Sequence, residues 1–99
     1  MLKLICYDIE NDRLRTAIAK YLEQQGLVRM QYSIFAGTLN DDQWQKLWNR
    51  VALLYYKSCS EADSIHCIVL SKAAFKKMQN LGKKTDNSFI LDEIKILYL

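Results

Sequence analysis

The sequence predicts an α+β domain of the ferredoxin-like kind, with the order strand, helix, strand pair, helix and strand, and one more strand at the C-terminus. Three observations predict it. An apolar run opens the chain and stops at polar residues, apolar residues then recur at helical spacing, and the spacing changes to alternation after a glycine. Since 99 residues suit a single domain, these elements are expected to share one core.

The first strand is predicted over residues 2–9, because strand-forming apolar residues end there at a polar stretch. Asp8 therefore lies at the C-terminal end of this strand. A helix follows, with Asn11 or Asp12 as its cap and Gly26 as its stop. Its apolar stripe is formed by Leu14, Ala17, Ile18, Tyr21 and Leu22.

Residues 28–39 alternate between apolar and polar side chains, which is typical of a strand with one polar face. The stretch is long enough for two strands, but the pattern does not show where the chain turns. The polar face is predicted to carry Arg29, Gln31, Ser33 and Phe35. This mix of guanidinium, amide, hydroxyl and aromatic groups favours contact with a nucleic-acid backbone, and an ordinary exposed strand edge is the alternative.

A second helix is predicted after Asp41 or Asp42, with Trp44, Leu47, Trp48, Val51, Leu54 and Tyr55 on one apolar stripe. A buried strand over residues 64–70 and a short basic helix over residues 71–79 complete the core elements. We expect a ferredoxin-like domain over residues 1–84. A connector and an apolar C-terminal strand, which we expect to mediate dimerisation, fill residues 85–99.

Composition narrows the class of protein. The net charge of +3 favours polyanionic partners only weakly. The three cysteines are odd in number and lack CxxC spacing, which argues against a disulfide framework or a zinc knuckle and favours the reducing cytoplasm. Because no segment has the roughly 20 apolar residues that span a bilayer, we expect neither secretion nor a membrane partner.

Asp8 is the first candidate for chemistry, since a carboxylate that closes an apolar strand can hold a divalent cation. Mg²⁺ takes few carboxylates and keeps several waters, so one Asp per subunit suffices if two-fold symmetry brings a pair together. The alternative is a strand-end Asp that caps the next turn. Four other carboxylates are alternative ligands, but each lies in a polar connector where we expect it to be solvated: Glu10, Asp12, Glu61 and Asp63.

Basic residues suggest where phosphate binds. Arg13 and Arg15 lie in the first turn of a helix, where cations oppose the helix dipole, so phosphate contact explains their position better than stability does. Five lysines between Lys72 and Lys84 could also grip phosphates, with a solvated face as the alternative. His66 lies within a buried-strand pattern, which disfavours acid–base catalysis.

One group of residues resembles a known family. The group comprises Tyr7-Asp8-Ile9, Arg13, Arg15, Gly26, Arg29, Gln31, Ser33, Ile34-Phe35, Gly37 and Leu39. This pattern is similar to that of the small CRISPR-associated adaptation proteins, the second core CRISPR-associated protein family. The resemblance implies a homodimer in which the C-terminal strand crosses to the partner's sheet and Asp8 of both subunits faces Mg²⁺. It also implies that Arg15, Arg29, Ser33 and Phe35 handle the substrate.

The resemblance leaves three functions open. The first is a magnesium-dependent endoribonuclease or DNA endonuclease of CRISPR-Cas immunity, with Asp8 as catalytic ligand and RNA or double-stranded DNA as substrate. The second is a non-catalytic DNA-binding scaffold for the CRISPR integrase subunit during spacer acquisition. The third is a toxin-type ribonuclease of the virulence-associated protein D kind, which shares the fold.

Overall fold

The computed structural model describes residues 2–79 and 81. In chain order its elements are β1 (Leu2–Asp8), α1 (Asp12–Gln24), β2 (Val28–Gln31), β3 (Ile34–Thr38), α2 (Asp41–Ser58), β4 (Ser64–Leu70) and α3 (Lys72–Lys76). The described strands form one antiparallel sheet in the order β2-β3-β1-β4. The ferredoxin-like prediction is therefore confirmed. The predicted boundary at residue 84, the C-terminal strand and its exchange lie outside the described residues.

The central strand β1 supplies side chains to both faces of the sheet, because successive strand residues point in opposite directions. Ile5 and Tyr7 face α1 and α2 and join the larger core cluster. Leu2 and Leu4 face the other way and join a second cluster. At the end of the strand, Asp8 is exposed and lies opposite Ser64 of β4.

Helix α1 begins and ends where local chemistry predicts. Its N-cap is Asn11, whose side chain accepts a hydrogen bond from the Leu14 N–H at 3.0 Å. Gly26 follows the helix with φ of 89°, a conformation that glycine adopts at little cost. One stripe prediction is wrong, because Ala17 is exposed and Ala19 is buried instead.

Helix α2 is capped one residue earlier than predicted, by Asn40 rather than by Asp41 or Asp42. The Asn40 side chain accepts the Gln43 N–H at 2.7 Å, and the Gln43 side chain accepts the Asn40 N–H at 3.2 Å. This reciprocal pair gives acceptors to two N–H groups that the helix itself leaves without partners. Leu47 and Val51 are buried, as the predicted stripe requires.

The second face of the sheet is partly covered by the same chain. Phe75 of α3 is fully buried and packs with Leu2, Leu4 and Ala36. This face is therefore covered in part by the chain's own α3. β4 is less buried than its apolar sequence predicted, because it lies at the edge of the described sheet, and Ile68 is 44% exposed.

Candidate nucleic-acid and metal site

The chain turns at Tyr32 and Ser33, between β2 and β3. The alternation continues through these two residues, so the sequence pattern could not show the turn. A register shift between Arg29 and Gln31 precedes it. Two hydrogen bonds from Tyr7 tie the turn to the end of β1: its N–H donates to the Ser33 carbonyl at 3.1 Å, and its hydroxyl donates to the Tyr32 carbonyl at 3.4 Å.

This connection forms a small cavity at the end of β1, here called the Asp8 recess. Its volume is about 200 Å³, and its lining consists of Tyr7, Asp8, Ile9, Arg15, Tyr32 and Ser33. Three of the predicted site residues, Asp8, Arg15 and Ser33, are thus brought together from β1, α1 and the turn. An exposed carboxylate beside a guanidinium and a hydroxyl can hold a cation and orient a phosphate at the same place.

Arg15 holds the loop that follows Asp8. One guanidinium nitrogen donates to the Ile9 carbonyl at 2.9 Å, and the other pairs with the Asp12 carboxylate. Hydrogen bonding to Tyr32, and then to Asp12, raises the pKa of Arg15. Part of its donor capacity is therefore used within the chain, so Arg15 positions the recess as well as lending it charge.

The Arg29 guanidinium lies close to two aromatic rings, those of Tyr32 and Phe35. Its Cζ is 5.0 Å from the centroid of Phe35 and 5.7 Å from that of Tyr32, and its nearest carboxylate oxygen, on Glu23, is 3.9 Å away. Phe35, predicted on the polar face, is fully buried. Phe35 pairs with Arg29 across β2 and β3, and both side chains lie on the face of the sheet that turns toward the helices. This placement buries the Phe35 ring and brings the Arg29 guanidinium close to it. Phe35 can therefore serve a substrate only by supporting Arg29.

A second cavity, here called the α1 groove, lies between α1 and the β2–β3 turn. Its volume is about 280 Å³, and its lining consists of Arg15, Thr16, Ala19, Lys20, Glu23, Arg29 and Tyr32. Lys20 and Tyr32 were not predicted as site residues. An exposed helix lysine and an aromatic within an alternating pattern carry no distinctive sequence signal, so only their place in the fold identifies them.

Other predicted binding residues lie apart from these cavities. Arg13 is exposed on α1 but lines neither cavity, and Gln31 is partly buried at the end of β2. Lys72 and Lys76 lie on α3 and Lys77 is its C-cap residue, and this helix packs on the opposite face of the sheet. The remaining predicted lysines, Lys83 and Lys84, fall outside the described residues.

The described part of the Asp8 recess offers few protein ligands to a metal ion. Within residues 2–79 and 81, no three His, Cys, Asp or Glu side chains cluster as a metal site. Of the residues described here, Asp8 alone brings a carboxylate to the recess. This donor set suits Mg²⁺, which takes one or two carboxylates together with waters and substrate phosphate oxygens.

The family model of CRISPR associated protein Cas2 matches residues 1–78. The chain belongs to this family. Among curated relatives, the CRISPR-associated endoribonuclease Cas2 3 of Synechocystis is 40% identical over 70 residues, which are 71% of this chain and 72% of that protein. The CRISPR-associated endoribonuclease Cas2 1 of Methanospirillum hungatei is 38% identical over 48 residues, 48% of this chain. That match spans only 50% of the relative's own length.

The fold is also that of a solved Cas2 structure. The crystal structure of Streptococcus pyogenes Cas2 superposes with a TM-score of 0.69 at 22% identity. The match covers 83% of this chain and 100% of that one. At this identity the likeness concerns the fold alone, and it agrees with the strand order described above. Among the described residues of this Cas2-family chain, no helix is long and apolar enough to span a membrane.

Asp63 was predicted to be a solvated carboxylate, and this prediction is wrong. It is 8% exposed. Its two carboxylate oxygens accept the Glu10 N–H at 3.0 Å and the Ser60 N–H at 2.9 Å. These backbone hydrogen bonds hold the pKa of Asp63 below its ordinary value. Asp63 therefore fastens the loop after Asp8 to the loop before β4.

Replacing Asp63 with alanine should lower the melting temperature by several degrees, because two backbone N–H groups lose their acceptors. The depressed pKa means that the unfolded chain binds the proton more readily. The stabilisation is therefore fully present above the ordinary Asp pKa of about 3.9 and is lost as the pH falls further. Thermal unfolding followed by circular dichroism from neutral to acid pH measures both effects.

The matched control is Glu61→Ala, which removes an exposed carboxylate from the same connector. It should unfold at the wild-type temperature across this pH range. An Asp63→Ala protein as stable as the Glu61→Ala protein at neutral pH would show that the two hydrogen bonds contribute nothing. A difference between them that persists unchanged in acid would contradict the assigned pKa direction.

His66 also departs from its predicted environment. The apolar sequence of β4 predicted a buried residue, but His66 is exposed. It lies opposite Cys6 of β1, and the neighbouring pair in the register is Tyr7 with Ile65. His66 lies on the same face of the sheet as Cys6 and Ile68, and the described helices cover that face only in part, which the sequence of a single strand does not reveal.

Proposed function

We propose that the protein is a magnesium-dependent endoribonuclease of CRISPR-Cas immunity. The observation that carries this proposal is the exposed Asp8 carboxylate in a recess shared with Arg15 and Ser33. The names of the curated relatives, CRISPR-associated endoribonucleases, supply the reaction class. Membership in the Cas2 family favours this role over that of a toxin-type ribonuclease.

Each residue of the site has a proposed task. Asp8 would supply one carboxylate oxygen to the cation. When bound, Mg²⁺ would lower the pKa of a coordinated water and offset negative charge on the phosphoryl group. Arg15 and Arg29 would attract the phosphodiester and stabilise its transition-state charge. Ser33 would orient a phosphate oxygen at the mouth of the recess.

The proposal extends to assembly. A second copy would complete the site with its own Asp8, and the apolar tail over residues 89–99 would pair with β4 of that copy, which is an edge strand among the described residues. Exposed Ile68 and Val69 on β4 support this arrangement, because an apolar sheet edge favours a further strand. We further propose that the homodimer works with the CRISPR integrase subunit during spacer acquisition.

The deciding experiment is a nuclease assay of the purified protein with and without Mg²⁺. Labelled single-stranded RNA, duplex RNA and duplex DNA are incubated with protein in Mg²⁺ or in EDTA. Cleavage of RNA that requires Mg²⁺ supports the proposal. Equal cleavage in EDTA contradicts metal dependence, cleavage of DNA alone changes the substrate, and binding without any cleavage favours the scaffold.

Replacing Arg29 with glutamine should weaken nucleic-acid binding without regard to sequence. The glutamine keeps an aliphatic stem over Phe35 and removes the charge. Loss of one phosphate contact lowers the slope of log affinity against log salt by about 0.7 to 0.9. Fluorescence anisotropy at several salt concentrations, with two unrelated RNA sequences, measures affinity and slope together.

The control for this prediction is Arg50→Gln, since Arg50 is exposed on α2 and lines neither the Asp8 recess nor the α1 groove. It removes the same charge from a different place. Equal slopes for the two variants would mean that net charge, rather than the position of Arg29, drives binding. An unchanged slope in Arg29→Gln would move the phosphate contacts elsewhere, with the lysines of α3 as the next candidates.

A further inference from the structure

Tyr32 is placed unusually for a large aromatic residue. Its side chain is 67% exposed at the tip of the β2–β3 turn. Its backbone is nevertheless anchored, because its carbonyl accepts the hydroxyl hydrogen bond of Tyr7, the residue directly before Asp8. The backbone of Tyr32 is therefore held near Asp8, while its ring lies outside the core.

Two guanidinium groups lie near the Tyr32 ring. The Cζ atoms of Arg15 and Arg29 are each 5.7 Å from its centroid. Guanidinium groups at this distance restrict the ring through cation–π attraction. With Lys20, they give the α1 groove three cations against the carboxylate of Glu23. A groove with excess positive charge and an exposed aromatic ring suits a ligand that is both flat and anionic.

The α1 groove and the Asp8 recess meet at a common wall. Arg15 and Tyr32 line both cavities. One nucleotide can therefore place its phosphate in the recess and its base in the groove. The groove, at about 280 Å³, also presents a hydroxyl, an ammonium and a carboxylate, from Thr16, Lys20 and Glu23, to the polar edge of a base.

We propose that the α1 groove binds one unpaired nucleobase, stacked on Tyr32, beside the phosphodiester that Asp8 addresses. This inference rests on the proposed nuclease function and names its substrate subsite. A base within a duplex is already paired and stacked, so only a single strand, a loop or a frayed end can supply it. Tyr32 thereby becomes the residue that selects unpaired substrate.

The test compares Tyr32→Leu and Tyr32→Phe with the wild-type full-length chain. A single-stranded RNA carrying 2-aminopurine and a blunt RNA duplex of the same sequence are titrated in EDTA, which prevents cleavage. Leucine should weaken single-strand binding about 10-fold and abolish the quenching of 2-aminopurine by stacking. Phenylalanine should bind like wild type, and duplex affinity should change in neither variant. Tyr56→Leu is the control, since Tyr56 is 77% exposed on α2.

The outcomes separate this inference from the function on which it rests. If Tyr32→Leu loses affinity equally for single strand and duplex, the ring only orders the two arginines and the stacking proposal is overturned. Single-strand binding unchanged in Tyr32→Leu overturns it as well. A wild-type chain that binds neither RNA in EDTA overturns the base subsite, and if it also fails to cut RNA in Mg²⁺, the nuclease proposal falls with it.

Discussion

Replacing Asp8 with asparagine should reduce nuclease activity at least about 100-fold. Loss of a group that only orients a metal ligand lowers metal affinity or activity by up to about 100-fold, and loss of the ligand itself should lower activity at least as much. Asparagine keeps the size of the side chain and removes the charge that attracts the cation. Because Asp8 is exposed at the end of β1, the change leaves the core contacts of that strand in place. Initial rates of RNA cleavage in Mg²⁺ measure the loss.

The matched control is Asp42→Asn, which makes the same chemical change at an exposed position on α2. Its cleavage rate should equal that of wild type. Thermal unfolding and light scattering should show that both variants keep their fold and their oligomeric state. An Asp8→Asn protein that cuts RNA as fast as wild type is incompatible with Asp8 as the metal ligand.

The same variant distinguishes a catalyst from a scaffold. If the protein serves only to bridge integrase subunits, Asp8→Asn should leave both integrase binding and spacer acquisition in cells unchanged. Counting new spacers in cells that carry the variant provides the measurement. Abolished acquisition with an intact integrase complex would count against a purely structural role.

Deleting residues 88–99 should raise the dissociation constant of the proposed strand-exchanged dimer by at least about 100-fold. These residues are largely apolar, and burying about 200 Å² of apolar surface per tail contributes about 5 kcal/mol. Separating the subunits would also separate the two Asp8 side chains, so metal-dependent cleavage should fall with the dimer. Light scattering over a range of protein concentrations measures the change.

Two further variants make the tail experiment decisive. Lys83→Ala with Lys84→Ala removes two charges directly before the connector and keeps the apolar tail, so it should remain dimeric. Ile96→Lys with Tyr98→Lys keeps the chain length and should weaken the dimer as deletion does. A truncated chain that remains a well-folded dimer at micromolar concentration would be inconsistent with strand exchange.

Much of the fold could be predicted because the signals are local. The helical spacing before Gly26 and the alternation after it predicted α1 and the strand pair, and the structure confirms both. The Asn40 cap was missed because Asp41 and Asp42 are equally good capping residues in isolation. The turn at Tyr32 was missed because it does not interrupt the alternation.

By itself, the sequence determined the order of elements, the ferredoxin-like class and the place of Asp8 at a strand end, since periodicity and capping depend on neighbouring residues. Only the tertiary structure decided what surrounds Asp8. The bond from Glu10 to Asp63 joins residues 53 positions apart, and the contact of Tyr7 with Tyr32 spans 25. Burial of Asp63 and Phe35, and exposure of Tyr32 and His66, follow from such long-range contacts and from each strand's position in the sheet, which no local pattern encodes.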